Sequence, residues 1–303
     1  MSLADTPLSS IMRRAAQEGL LVPAFNVAHL PMLETISATL VELDTLGLVE
    51  VARPDVERFG AQSFAAVAAE FERVGARSHT RLHLDHMPVV DEEGNRVEWQ
   101  RGIAEALELG YDSVMLDGSR LPLEENIAAT LTAAAMAHAG GVPLEAELGA
   151  VLGHEAGPLP PYEELFASGR GFTDVEEARR FVAETGVDWL SVAIGNVHGA
   201  ISGAAKDQKK IEARLHIGHL QALRAATKVP MVLHGGSGIQ PSYVREAIRN
   251  GVAKLNIGTE IRQAYERGEG AACGQEAVAA KIRELVVDVY GIAGSAARLA
   301  ASA

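Results

Sequence analysis

The chain of 303 residues is 48% apolar and 22% charged, which supplies a large core and suits either one large domain or two ordinary ones. Its 27 lysines and arginines stand against 40 aspartates and glutamates, a net charge of −13 that argues against a nucleic-acid or anionic-membrane surface. The single cysteine, Cys273, excludes an internal disulfide framework and a cysteine-rich zinc knuckle.

Charges, glycine or proline interrupt every apolar stretch before the roughly 18–20 residues of a membrane span. Met1-Ser2-Leu3-Ala4-Asp5 lacks the basic-then-apolar order of a secretory signal, so a soluble, cytoplasmic protein is expected. No low-complexity tract, solenoid repeat or linker divides the chain. In chain order the short apolar runs are Leu21–Phe25, Gly47–Ala52, Arg81–Asp85, Ser113–Asp117, Pro143–Glu147, Trp189–Ala193, Pro230–His234 and Ala253–Ile257. Such runs read as parallel strands covered on both faces.

Helical patterns fill the intervals. Trp99, Ile103, Ala106 and Leu107 fall at i, i+4, i+7 and i+8, with Gly110 as a stop. Further on, Pro241 opens and Gly251 closes a segment containing Tyr243, Val244, Ala247 and Ile248. Near the C-terminus, Gln275–Tyr290 carries a stripe of Val278, Ile282, Leu285 and Val286, which packs on its own barrel or joins a second subunit. Eight strand–helix units joined by right-handed crossovers predict a (β/α)8 TIM barrel with extra terminal helices, one domain over residues 1–303. A doubly wound sheet is the alternative, and the absence of a nucleotide fingerprint favours the closed barrel.

Chemistry in such a barrel sits where the strands finish. Reading that edge gives Asn26, Asp85 with His86, Asp117, Glu147, His198, His234 and Asn256. Three histidines and several carboxylates converging on one mouth suggest a divalent metal, and three imidazoles with an open fourth position describe a catalytic zinc site. Asp117 and Glu147 read equally well as structural partners of helix N-termini or arginines. His29, His79, His138, His216 and His219 read as surface or packing residues. The glycine-bearing loops His234-Gly235-Gly236-Ser237-Gly238 and Asn256-Ile257-Gly258-Thr259 suit a phosphate, whose oxygens glycine allows the backbone to approach, or are ordinary tight turns. Gly149–Gly157 reads as an active-site loop able to carry Glu155 inward, Lys206–Lys210 as a solvated face, and Asp91–Asn95 as an exposed turn.

These residues resemble the class II, zinc-dependent ketose-bisphosphate aldolases, which include fructose-bisphosphate and tagatose-bisphosphate enzymes. The likeness lies in VPAFN (22–26), HLDH (83–86), SVMLDGS (113–119), EENI (124–127), LEAELG (144–149), AIGNVHG (193–199), LHGGSG (233–238) and KLNIGTE (254–260). The resemblance implies reversible aldol cleavage of a ketose 1,6-bisphosphate, with His86, His198 and His234 holding zinc. It implies that Asp85 is the acid/base at the C4 hydroxyl, that Glu155 shuttles the C3 proton of dihydroxyacetone phosphate, and that Asn256 bonds the enediolate. Asp117 and Glu147 match an outer metal position. Gly199, Gly235, Gly236, Ser237, Gly258 and Thr259, with Asn26, match substrate and phosphate contacts, a Na+ or K+ ion being held nearby in some members. The family also implies a homodimer or homotetramer.

The sequence departs from the family pattern in VEVARPDVERFG, where Arg53 replaces a small or hydroxylated residue and is expected to enter the substrate channel, meet an anion, or pair with Glu50. Ser202 stands in place of a phosphate-side lysine, a role Lys206 could take. Arg262 and Arg267 are candidates for gripping a second phosphate. Two other classes compete. A metal-dependent hydrolase on this fold commonly begins with an HxH pair where this chain has AFN, and a non-catalytic barrel subunit would have lost the histidines, Asp85 or Glu155 that are all present.

Overall fold

Each of the eight apolar runs forms a strand, because a residue that is apolar on both faces is satisfied only between a barrel interior and a helical shell. The computed structural model describes residues 3–149, 162–196, 214–236, 239–268 and 271–300. The strands are β1 (Val22–Asn26), β2 (Gly47–Ala52), β3 (Thr80–Pro88), β4 (Ser113–Asp117), β5 (Leu144–Leu148), β6 (Trp189–Val192), β7 (Met231–Leu233) and β8 (Val252–Ile257). All neighbours pair in parallel, and β8 pairs back onto β1, so the described residues form the predicted closed (β/α)8 barrel.

Only β2 and β4 keep the bounds of the runs read off the sequence, and of the other six β3 and β7 differ where the site lies. β3 continues to Pro88, so Asp85 and His86 lie inside it. The continuation is possible because the register with β4 shifts between Leu84 and Met87, and His86 sits in the bulge at φ 37°. β7 stops at Leu233, which leaves His234 just beyond the hydrogen-bonded ladder.

The lower end of the barrel is closed by α1 (Leu8–Glu18), which Gly19 ends in the left-handed conformation. Its Leu8, Ile11, Met12 and Ala15 pack with Val22, Ala24, Leu48, Trp189 and Val232 in one apolar cluster. Farther along, α5 (Trp99–Glu108) and α10 (Pro241–Arg249) match the predicted helices. The C-terminal stripe lies on α12 (Ala271–Arg283) and the π-helix that continues it, Glu284–Tyr290. Val278, Ile282, Leu285 and Val286 are all buried in the chain's own main core.

Asp91–Asn95 is a turn, as expected. Asp91 Oδ1 accepts from the backbone N–H groups of Glu93 (3.0 Å) and Asn95 (2.8 Å), and Val90 bridges Arg96 antiparallel.

Burial along the strands is uniform, yet their chemistry alternates. Glu50, His83, Asp85, Glu145, Glu147, Lys254 and Asn256 occupy every second position of their strands and meet one another across the interior. Between them, Val49, Val51, Leu82, Leu84, Leu144, Ala146, Leu148, Leu255 and Ile257 belong to the apolar shell shared with the helices. Period-two pleating thus separates a dry shell from a polar interior within strands that are buried throughout.

Candidate active site and metal centre

The mouth of the barrel gathers most of the predicted polar edge around Asp85. Asn26 Nδ2 donates to Asp85 Oδ2 at 3.0 Å, and Asn256 Nδ2 donates to Asp85 Oδ1 at 2.8 Å. One amide comes from the first strand and one from the last, brought together by the β1–β8 pairing. Burial alone would raise the Asp85 carboxyl, but the charges of His86, Lys254 and His234 beside it hold it well below the usual carboxylate range.

Asn26 Nδ2 also donates to Asp55 Oδ2 at 3.3 Å, and the same oxygen accepts from the Ala52 N–H at 2.9 Å. Asp55 thereby caps α3 (Arg53–Arg58) while its carboxylate lies one amide away from Asp85. Burial pushes Asp55 up to about 6, a rise that the Ala52 hydrogen bond opposes and the Asp85 charge adds to.

His86 and His234 meet edge to face, ring centroids 4.3 Å apart. His86 Nδ1 lies 3.4 Å from Asp117 Oδ2, and Asp117 Oδ1 is held by the Ser119 N–H (3.0 Å) and Oγ (2.6 Å). His234 Nδ1 lies 3.1 Å from Glu147 Oε2, which also accepts from Ser191 Oγ at 3.3 Å. Asp117 and Glu147 therefore face the histidines and not arginines. Although burial disfavours its charge, His86 is pushed up to about 10 by Asp85 and by the hydrogen bond to Asp117. A non-glycine residue at positive φ costs about 1–3 kcal/mol, and the fold spends that strain on the orientation of this imidazole.

Ligand atoms of Asp85, His86 and His234 lie within 4.8 Å of one another, as do those of His86, Asp117 and Glu147. Two imidazoles among three carboxylates form a donor set that suits a borderline divalent cation, whose charge would offset the concentrated negative charge. The residues present fit such an ion. The third expected histidine, His198, lies outside the described residues, together with Glu155, Gly199, Ser202, Lys206 and Ser237.

The described loop residues have reasons for their types. Gly235 takes φ +69°. A Cβ on Gly236 would lie 2.8 Å from Leu255 Cδ1, and one on Gly258 would lie 2.9 Å from Asn26 Oδ1, displacing the amide that holds Asp85. Thr259 opens α11 (Thr259–Arg267) directly after Gly258.

Below the mouth lies a layer that reading for strand ends missed. Lys254 Nζ stands 2.9 Å from Glu145 Oε2 and 3.3 Å from Glu50 Oε2, all three side chains fully buried. His83 Nδ1 is 2.8 Å from Ser113 Oγ. Burial, with Asp85 adding to it, pushes Glu50 up to about 8, while burial and the Lys254 charge drive His83 down to about 3. The available signal was a polar residue at alternate positions of LVEVA, RLHLD, LEAEL and VAKLN.

Because Lys254 takes Glu50, the pairing of Arg53 with Glu50 does not form; Arg53 binds Glu57 one helical turn on and lies 3.8 Å from Asp91. Arg262 pairs with Glu266 at 2.6 Å and lies over the Phe59 ring, and Arg267 bonds Gln263.

Carboxylates and imidazoles gathered where the strands of a barrel end mark the mouth as a candidate active site, and comparison with known proteins gives the family. The family model described as fructose-bisphosphate aldolase class-II matches residues 6–293. A fructose-bisphosphate aldolase of Streptococcus pyogenes serotype M1 is 33% identical over 271 residues, covering 87% of this chain and 82% of the relative. The YdjI aldolase of Escherichia coli K12 superposes with a TM-score of 0.74 at 27% identity, over 95% of this chain and 98% of that one. Fructose-bisphosphate aldolase of Campylobacter jejuni shares the fold, with a TM-score of 0.72 at 20% identity over 97% and 96% of the two chains. The chain belongs to the class II fructose-bisphosphate aldolase family. It is an aldolase, a carbon–carbon lyase.

Proposed function

We propose that this aldolase performs zinc-dependent, reversible cleavage of a ketose 1,6-bisphosphate of the fructose- or tagatose-bisphosphate type. The products are dihydroxyacetone phosphate and an aldehyde such as glyceraldehyde 3-phosphate. The observation that carries this reading is the grouping of Asp85, His86 and His234 at the mouth of the barrel, their ligand atoms within 4.8 Å of one another. His86 and His234, with His198, would hold the ion, with Asp117 and Glu147 as an outer position. When bound, zinc supplies a Lewis acid that polarises the ketose carbonyl and spreads the charge of the enediolate.

The remaining work falls to the chain's own groups. Asp85, ionised and oriented by Asn26 and Asn256, takes the proton of the C4 hydroxyl in cleavage and returns it in condensation. Asn256 keeps a second amide hydrogen for the enediolate, and its buried Oδ1 has no hydrogen-bond partner among the described residues, which suits it to accept from a substrate hydroxyl. Glu155 moves the C3 proton. Backbone N–H groups of Gly199, Gly235, Gly236 and Gly258, with the hydroxyls of Ser237 and Thr259, receive the 1-phosphate, and a Na+ or K+ ion is placed beside it by analogy with the family.

A related reading is a different phosphorylated ketose. It is favoured by Arg53 and Arg58 on the helix that follows β2 and Arg262 on the helix that follows β8, cations each already engaged by a carboxylate. The enzyme is assigned to the reducing cytoplasm as a homodimer or homotetramer, in keeping with its one cysteine and its family.

The test is release of dihydroxyacetone phosphate from fructose 1,6-bisphosphate and tagatose 1,6-bisphosphate, with added zinc and with a chelator. Chelator-sensitive release from either sugar is expected. Zinc binding without cleavage of either would leave the metal centre standing and transfer the assignment to another ketose phosphate. Cleavage indifferent to chelation would remove zinc from the mechanism.

A further inference from the structure

Glu145 lies beneath the mouth and meets the candidate metal site at the far side of His234. Three donors converge on this one carboxylate. His234 Nε2 is 2.8 Å from Oε1, Trp189 Nε1 donates to Oε2 at 2.7 Å, and Lys254 Nζ stands 2.9 Å from Oε2. All four side chains are fully buried. Such a group is retained in a core only when its charge and lone pairs are answered, and here Lys254 answers the charge while the two ring N–H groups answer the lone pairs.

The arrangement has a direction. Both ring nitrogens face a carboxylate oxygen, Nε2 that of Glu145 at 2.8 Å and Nδ1 that of Glu147 at 3.1 Å, but the two carboxylates differ. Glu147 belongs to a group of candidate ligands, whereas Glu145 is held by Trp189 and Lys254, so with a cation on the Glu147 side Nε2 keeps its N–H for Glu145 and Nδ1 carries the lone pair.

We infer that Glu145, locked by Trp189 and Lys254, is a positioning residue that fixes the tautomer and ring orientation of His234, so that Nδ1 is offered to the divalent cation. This rests on the metal reading given above. A glutamine cannot replace it. Its single carbonyl oxygen can face His234 or the Trp189–Lys254 pair, and either choice turns an amide NH2 against another donor. The effect on metal binding follows from losing the partner that orients the ligand, for which a 10–100-fold weakening is typical.

The experiment uses the full chain, stripped with a chelator and titrated with Zn2+ against a chromophoric competitor, then with Co2+ while the visible d–d bands are recorded. Glu145→Gln is expected to weaken Zn2+ about 10–100-fold and to shift the Co2+ bands. Trp189→Phe keeps the carboxylate but removes one of its anchors, and is expected to shift the bands in the same direction with a smaller loss of affinity. His234→Ala is the ligand control and is expected to lose the site.

A folded Glu145→Gln with wild-type affinity and wild-type cobalt bands, beside a His234→Ala that has lost its metal, overturns the inference and leaves the proposed function intact. If Glu145→Gln does not fold, unchanged affinity and bands in Trp189→Phe overturn it instead. A wild-type chain that binds neither ion, or a His234→Ala that binds as wild type does, removes the metal reading and the inference with it. A lowered melting temperature without any change in the cobalt bands identifies Glu145 as a core residue only.

Discussion

The two ends of the barrel use the same strands and the same inward pleat for opposite purposes. At the lower end, Val22, Ala24, Leu48, Trp189 and Val232 meet Ile11 and Met12 of α1 in an apolar plug. At the upper end the inward positions become Asn26, Asp85, Asp117, Glu147, His234 and Asn256, several of them as deeply buried as the plug. Burying apolar groups stabilises the fold by roughly 25 cal/mol per Å2, whereas burying charge does so only when every partner is present. The lower end is therefore where the molecule gains stability, and the upper end is where it spends some of it on a prearranged field.

Substitutions that act on one end only will break this division or sharpen it. The largest effect is expected from Asp85→Asn, which removes the proposed base and turns an amide NH2 against one of the two amides that hold it. Turnover should fall about 10²–10⁴-fold, equivalent to about 3–5 kcal/mol of barrier. Near-normal turnover would move the acid/base role elsewhere.

Next comes Ile11→Ala in the plug, expected to lower stability by about 2–5 kcal/mol in urea unfolding while leaving zinc affinity and KM unchanged. A change in zinc affinity would show that the ends are coupled.

Asp55→Asn is expected to act through pH. The folded-state value of about 6 lies above the ordinary aspartate value, so protonated Asp55 contributes stability below about pH 4 that is lost as pH rises through 6. The asparagine variant should gain on the wild type by about 2–3 kcal/mol between pH 4 and pH 7. Equal differences at both pH values would mean that Asp55 ionises normally.

The smallest effect is expected from Arg53→Ala. Its half-exposed pair with Glu57 contributes no more than about 0.5 kcal/mol, so unfolding curves should nearly overlay. A raised KM in that variant would show that the arginine leaves Glu57 for the substrate.

Most of the fold was legible because eight apolar runs, each followed by a helical pattern, are a local signal. The upper rim was legible for the same reason, since Asp85 and Asp117 close such runs, Asn26 directly follows one and Asn256 stands next to last in another. The layer beneath was not. Glu145 and His234 are 89 positions apart, and Asp85 and Asn256 are 171 apart, so neither partner announces the other along the chain. Averaging hydrophobicity over a run also hides the alternate polar positions that mark the interior. His86 shows a different limit: its bulge depends on how β3 registers against β4, a property of two strands together.

The seam between β1 and β8, where Ala24 pairs with Asn256, gives the chain a gauge of its own completion. Asp85 is gripped by one amide from the first strand and another from the last, so a sheet that has formed every strand but not yet closed holds the proposed base by one side only. Recovery of aldolase activity during refolding therefore times the meeting of the chain's two ends, and it should lag behind the return of helical signal by the interval that ring closure takes.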